Sequence, residues 1–257
     1  MDKGTKVYLI ISDPHIPSHD QLCWDAVCEF AEDMKFDGLV LNGDLVDLGE
    51  IDRHSEGSLI KRENKRVRHT MDVCNTQLDK LQKALGAQCK DNYLIEGNHD
   101  DRIKRLLQKG DNAVLKDYLP ELEEALKLKK RGIKYIESYP KAKIQLGKLW
   151  ITHGIWTNEF HAKKHVDQFK ACVYIGHAHR QQMYIGASID GQIAGWASGH
   201  MADETSDAMS YAPTPNSWSK GFGIVYVRSN GEFNVQQIQF WNHTFFYGNR
   251  QYGKKEK

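Results

Sequence analysis

Five times along this chain a short apolar run ends abruptly in a loop of Gly, Asp, Asn or His: VYLII runs into SDPH, GLVL into NGD, NYLI into EGNHD, LWI into THG and CVYI into GHAH. That recurrence constrains the fold more than any other feature, because each run reads as a buried strand closing in a polar loop. Between the early strands lie stretches whose apolar residues are three and four apart. One surrounds Leu22, Val27, Phe30 and Met34, and a longer one passes through Val67, Met71, Cys74, Leu78, Leu81 and Leu85. The spacing predicts helices buried on one face, and the second, though heptad-like, is too short to favour an oligomer seam. Strands alternating with helices make a layered α/β core.

Beyond Cys172 the pattern turns to strands alone, MYIGA, QIAGWA, FGIVYV and FNVQQIQF, expected to form a meandering sheet. No repeat or linker interrupts residues 1–257, so a single domain is expected. With 35 Lys and Arg against 34 Asp and Glu, the formal charge of +1 neither demands nor excludes a polyanionic partner, and any nucleic-acid contact must be local. Five cysteines without C-x-x-C spacing argue against a disulfide framework or a thiolate zinc site and fit a reducing, cytoplasmic setting. The N-terminal apolar run, Val7 to Ile11, is too short for a signal peptide, and nothing approaches the roughly 18 apolar residues of a membrane span.

In open α/β sheets the working crevice lies beyond the carboxyl ends of the strands. There the loops deposit Asp13 and His15, then Asp44 and Asp47, then Asn98, His99 and Asp100, then His153, and finally His177 and His179. Imidazole nitrogens with carboxylate and amide oxygens suit divalent manganese, iron or zinc better than calcium. The set is also too large for one ion.

The ordered motifs DPH (13–15), GDLVD (43–47), GNHD (97–100), HG (153–154) and GHAH (176–179) resemble those of the calcineurin-like metallophosphoesterases. The resemblance implies an α/β fold of four layers, an α/β/β/α sandwich. It also implies two divalent ions, manganese first and iron, zinc or nickel as alternatives. Asp13, His15, Asp44 and His179 would hold one ion and Asp44, Asn98, His153 and His177 the other, with Asp44 bridging. A hydroxide shared by the ions would attack phosphorus, and His99, held by Asp47, would protonate the leaving oxygen. The glycine of GNHD is expected to permit a sharp turn, and Asp100 to cap a helix beginning DDRIKRLL.

In the serine/threonine protein phosphatases an arginine that clamps phosphate follows the G-D-x-x-D block, whereas here Leu48 follows Asp47. Arg102, Arg53 and Arg180 each lie near a motif and are candidates to replace it, Arg102 first. The missing arginine, with the basic cluster Lys61, Arg62, Lys65, Arg66 and Arg68, points to phosphodiesters, nucleotides or nucleic-acid ends included. That cluster also reads as the wet face of a helix. The alternatives are a broad phosphomonoesterase and a binding scaffold of the same fold. His161 and His165 read as a solvated helix face, and His19, His69 and His243 as surface or packing histidines. His200 sits in a glycine-bounded loop of open placement.

Overall fold

The structure is a computed structural model describing residues 4–51, 67–108, 119–212 and 215–254. Arg53, Lys61, Arg62, Lys65 and Arg66 lie outside the described residues, so the basic cluster is represented only by Arg68, exposed on its helix. Among the described residues no helix is long and apolar enough to cross a membrane.

The apolar runs become strands almost where the sequence places them. The first three are β1 (Lys6–Ile11), β2 (Gly38–Asn42) and β3 (Asp91–Ile95), mutually parallel, with β4 (Ile133–Ile136) added parallel to β3. Helices α1 (Gln21–Asp33) and α2 (Val67–Leu85) pack against each other over one face of this sheet. Two short helices, α3 (Arg102–Leu107) and α4 (Leu122–Ala125), follow β3. A second sheet begins with the hairpin β5 (Lys143–Leu146) and β6 (Leu149–Thr152) and, after helix α5 (His161–Phe169), continues through β7 (Val173–Ile175), parallel to β6.

The later strands do not form one meander. The hairpin β8 (Gln182–Ser188) and β9 (Gly191–Ala197) extends the second sheet, whereas β10 (Gly221–Val227) and β11 (Phe233–Gln239) cross back to the first, β10 lying antiparallel to β1. The strand orders are β11-β10-β1-β2-β3-β4 and β5-β6-β7-β9-β8. A terminal hairpin, β12 (Phe245–Tyr247) with β13 (Arg250–Tyr252), lays Phe245, Tyr247 and Tyr252 around Phe30 of α1. The crossing of β10 has a packing reason. Phe222 and Ile224 face the helix layer while Val225 and Val227 face the other sheet, so this strand fits only where both faces are covered.

Alternation along the strands separates the layers. Val7, Leu9, Ile11, Leu39 and Leu41 join α1 and α2 in one core, while Tyr8, Ile10, Val40, Ile151, Tyr174 and Trp196 fill the space between the sheets. On the far face Val173, Ile175 and Ala197 meet Ala162 and Val166 of α5. This is the α/β/β/α sandwich. His161 and His165, expected on a wet face, are buried, because α5 turns that side to the sheet and leaves Lys163, Lys164 and Asp167 outside. His165 Nε2 accepts the Ile155 amide at 3.1 Å, and its Nδ1 lies 2.8 Å from the His161 carbonyl.

Asp20 secures the start of α1. Its Oδ1 accepts the Cys23 amide at 3.0 Å, and its other oxygen meets Lys220 and, at 2.8 Å, His243 Nδ1. Burial alone would raise this carboxyl, but Lys220 and the Cys23 amide hold it below its ordinary value. A depressed carboxylate contributes stability above its unfolded pKa of about 3.9 and loses it as pH falls through the lower folded value. Asp20→Asn is therefore expected to cost about 2 kcal/mol at neutral pH. The gap in Tm between variant and parent should close as melts are run from about pH 6 down to about pH 3. A gap that persists in acid would contradict the charge-based account.

Candidate metal centre

The carboxyl ends of β1, β2 and β3 and of β6 and β7 meet at one side of the sandwich, where backbone hydrogen bonds stitch their loops together. Asp13 N donates to Gly43 O at 3.1 Å, His15 N to Asp44 O at 3.0 Å, and Gly176 N to His153 O at 2.8 Å. Five of the seven expected ligands adopt the left-handed backbone conformation: Asp13 (φ 52°), His15 (52°), Asp44 (48°), His177 (65°) and His179 (56°). Non-glycine residues rarely adopt it, and such strain gathers where a site must aim its side chains. The tight loops turn these side chains inward rather than along the strand.

Among the described residues the expected ligands fall into two groups, each with ligand atoms within 4.8 Å of one another, Asp13, His15 and His179, and Asp44, His153 and His177, and a further group at the same spacing joins His15 and Asp44 to His99. In the first, His15 Nε2 lies 3.1 Å from His179 Nε2, which lies 3.4 Å from Asp13 Oδ1. In the second, His153 Nε2 lies 3.3 Å from both Asp44 Oδ2 and Asn98 Oδ1. Asp44 Oδ2 is also 3.9 Å from His15 Nε2, so this carboxylate stands between the groups. Asp13, His15, Asp44, His153 and His179 are all buried. Imidazole nitrogens facing each other and buried carboxylates gather nitrogen and oxygen donor atoms in one pocket, which a cation satisfies. These residues fit divalent ions.

Several neighbours orient the rings. His153 Nδ1 donates to the Asn42 carbonyl at 2.9 Å, fixing Nε2 as its inward nitrogen. The Asp13 carboxylate accepts the His177 amide at 3.0 Å. Asp47 serves two rings, its Oδ1 lying 3.2 Å from His99 Nδ1 and 3.5 Å from His15 Nδ1, while its carbonyl lies 2.9 Å from His99 Nδ1. Sequence reasoning assigned it only the first. Burial opposes charge on these groups, yet Asp44 and Asp13 push His153 up to about 10, and His15 and His99 hold Asp47 well below the usual carboxylate range. Burial and the charge of neighbouring histidines lower His15 and His177 to about 4, leaving neutral imidazoles fit to ligate.

The expected arginines are placed differently. Arg102 reaches the centre, its NH2 lying 3.2 Å from His99 Nε2 and its NH1 donating to the Asp47 carbonyl. Arg180 instead spans the Thr157 and Asn158 carbonyls, at 2.8 and 3.0 Å, and Ser217 Oγ at 3.2 Å.

Two local expectations are corrected. Asp100 does not cap α3: Asp101 occupies that position without a side-chain cap bond, while buried Asp100 accepts the Gly97 and Val46 amides at 2.9 and 3.2 Å. The structural need there is to tie two site loops together. Gly97 is not needed for a turn either, since its φ is not positive. A Cβ at Gly97 would lie 2.3 Å from both the amide nitrogen and Oδ1 of Asp44, so only glycine lets the two loops approach. Gly97→Ala is expected to cost about 1–3 kcal/mol by overpacking. Because it also displaces the shared carboxylate, turnover should fall on the order of a hundredfold. Stability and rate close to the parent's would show that the loop yields without cost.

One supporting residue, Glu96, escaped sequence reasoning, and another, His200, had only an open placement there. Glu96, buried at the end of β3, accepts Lys104 Nζ at 2.8 Å, Tyr135 OH at 2.6 Å and the amides of Ser138 and Tyr139 at 2.7 and 2.8 Å. His200 is buried and stacks on His179 with ring centroids 5.1 Å apart. Its Nδ1 accepts the Ala202 amide at 3.2 Å, which directs the Nε2 proton toward Glu204 at 3.4 Å. The only signal for either was a polar residue at a strand end or in a glycine-bounded loop.

The layered core and this histidine–carboxylate pocket define a metal-binding α/β/β/α sandwich. The chain belongs to the calcineurin-like phosphoesterase family, whose profile matches residues 7–200. Among solved structures it is similar to vacuolar protein sorting 29 (Vps29) of Cryptosporidium parvum, at 13% identity over 93% of this chain and 99% of that one, TM-score 0.41. It is also similar to Vps29 of Chaetomium thermophilum, at 10% identity over 91% and 98%, TM-score 0.42. A third is Vps29 of Entamoeba histolytica in complex with zinc, at 12% identity over 91% and 98%, TM-score 0.38. Similarity at this level carries no information about activity. No curated protein matches the chain.

Proposed function

We propose that the chain hydrolyses phosphate esters and prefers diesters. The observation that carries this reading is the division of the expected ligands into two groups around Asp44, with His99 at their edge. Two divalent ions, when bound by these residues, supply activation of the attacking water and neutralisation of charge at phosphorus. Manganese is the proposed native ion.

The protein's own part begins with His99. Its Nδ1 is committed to Asp47, so Nε2 is the nitrogen that faces the cluster, 3.9 Å from Asp44 Oδ2. Burial disfavours charge on His99, but Asp44 and Asp47 raise its pKa while Arg102 opposes them. In the free enzyme the Arg102 guanidinium faces the Nε2 lone pair. A substrate phosphate that draws Arg102 onto its own oxygens releases Nε2 to carry a proton and deliver it to the leaving oxygen. Binding of the anion thus arms the acid.

The diester preference follows from Arg102 and Leu48. Leu48 is fully buried where protein phosphatases have their arginine, and Arg102 is the guanidinium beside His99 among the described residues. One such group suits a monoanionic diester better than a dianionic monoester. Side-by-side rates on bis(p-nitrophenyl) phosphate and p-nitrophenyl phosphate with manganese test this. The diester should react faster; a faster monoester would make the chain a phosphomonoesterase. Hydrolysis of neither, with ions bound, would make it a binding scaffold.

A further inference from the structure

Aromatic side chains flank the centre on two sides. On one, Trp218 sets its ring against His179 with centroids 4.4 Å apart, and Tyr211 stands beside Trp218 at 5.6 Å with 60% of its surface exposed. On the other, Tyr139 lies 5.9 Å from the His153 ring and 6.4 Å from that of His177. The rings therefore touch ligands from both groups, and a phosphate seated between the groups would have aromatic surface on either hand.

The backbone that carries Tyr139 and Trp218 is held in place. The Tyr139 amide donates to buried Glu96 at 2.8 Å. Trp218 N donates to Asn216 Oδ1 at 3.0 Å, the next amide, of Ser219, donates to the His179 carbonyl at 2.9 Å, and Arg180 fastens Ser217. Partly exposed rings on a backbone so held bind planar groups at little entropic cost. A neutral aromatic surface accepts any base, because every base offers a π face.

We propose that Tyr211 with Trp218 on one side and Tyr139 on the other are nucleobase subsites, so that the diester taken by this centre carries a nucleoside on each side of the phosphate. The inference rests on the phosphodiesterase reading and narrows its substrate to nucleoside phosphodiesters.

The test compares thymidine 5′-p-nitrophenyl phosphate with methyl p-nitrophenyl phosphate, which share leaving group and charge and differ in carrying a nucleoside or a methyl group. With manganese, kcat/KM should favour the nucleoside ester by about tenfold or more, and the ratio should fall toward one in whichever of Tyr211→Ala and Tyr139→Leu removes the subsite that holds the base, while the other variant slows both esters alike. A second measurement does not depend on turnover. In metal-free protein, thymidine 5′-monophosphate should quench tryptophan fluorescence at lower concentration than methyl phosphate shifts it, and Trp218→Phe should remove most of the quench. Equal kcat/KM on the two esters, with equal binding of the two phosphates, overturns the subsites while leaving the diesterase reading intact. Hydrolysis of neither ester with preferential binding of the nucleotide upholds the subsites and overturns the diesterase reading. The two sources of such a diester separate by length: a rate per bond that climbs from dithymidine phosphate to a long oligothymidylate identifies a polynucleotide, and a constant rate a dinucleotide.

Discussion

Replacing Asp44 by Asn is expected to lower hydrolysis by roughly a thousandfold, the largest loss from any single conservative change in the cluster. The charge stabilisation that bound ions give a phosphoryl transition state is worth several kcal/mol, at tenfold in rate for each 1.36 kcal/mol. Asp44 is the carboxylate on which both groups depend, 3.3 Å from His153 Nε2 and 3.9 Å from His15 Nε2. Its Oδ1 also accepts the His99 amide at 2.8 Å, a bond that asparagine can keep through its carbonyl oxygen, so the fold should survive. Metal analysis of the variant should show fewer ions per chain, and its circular dichroism should match the parent's. Chelator treatment of the parent should abolish activity and manganese restore it. A variant that retains both its ions and its rate would remove Asp44 from the bridging position.

His99→Ala is expected to cost roughly a hundredfold to ten-thousandfold in turnover with metal content unchanged. The loss should be greatest for esters with poor leaving groups and should shrink with p-nitrophenolate, which departs without a proton. His99 stands at the edge of both groups, with Nδ1 committed to Asp47 and Nε2 beside Arg102. Asp47→Ala should resemble it on poor leaving groups but also lower ion affinity, because Asp47 lies 3.5 Å from the His15 ring nitrogen as well. Equal losses on good and poor leaving groups would reassign His99 to binding.

What could be read before folding followed from local causes. A strand buried on both faces must be a short apolar run, and a loop at its carboxyl end is free to hold polar residues, so VYLII-SDPH or CVYI-GHAH announces both element and site. The helical spacings of α1 and α2 were legible for the same reason, since burial of one face imposes a period of three to four residues. His161 and His165 were misread because the polar residues around them describe only one face of α5, and nothing local says which face meets a sheet. Gly97 was misread because a glycine looks alike in sequence whether it serves a turn or a close approach.

The sequence by itself determined the strands, the major helices, the α/β class and the residues gathered at the strand ends, because each depends on neighbours within a few positions. Tertiary structure alone decided that β10 crosses back to lie against β1 and that Asp47 serves two rings. It alone decided that Glu96 gathers donors from residues 104, 135, 138 and 139, that Arg102 rather than Arg180 faces His99, and that Trp218 packs on His179 while Tyr139 lies beside His153. Apart from the short-range pairs Arg102–His99 and Glu96–Lys104, these contacts join segments tens to more than two hundred residues apart, and their partners are chosen by burial of both strand faces and by satisfaction of buried charge, conditions that exist only once the two sheets have closed on each other.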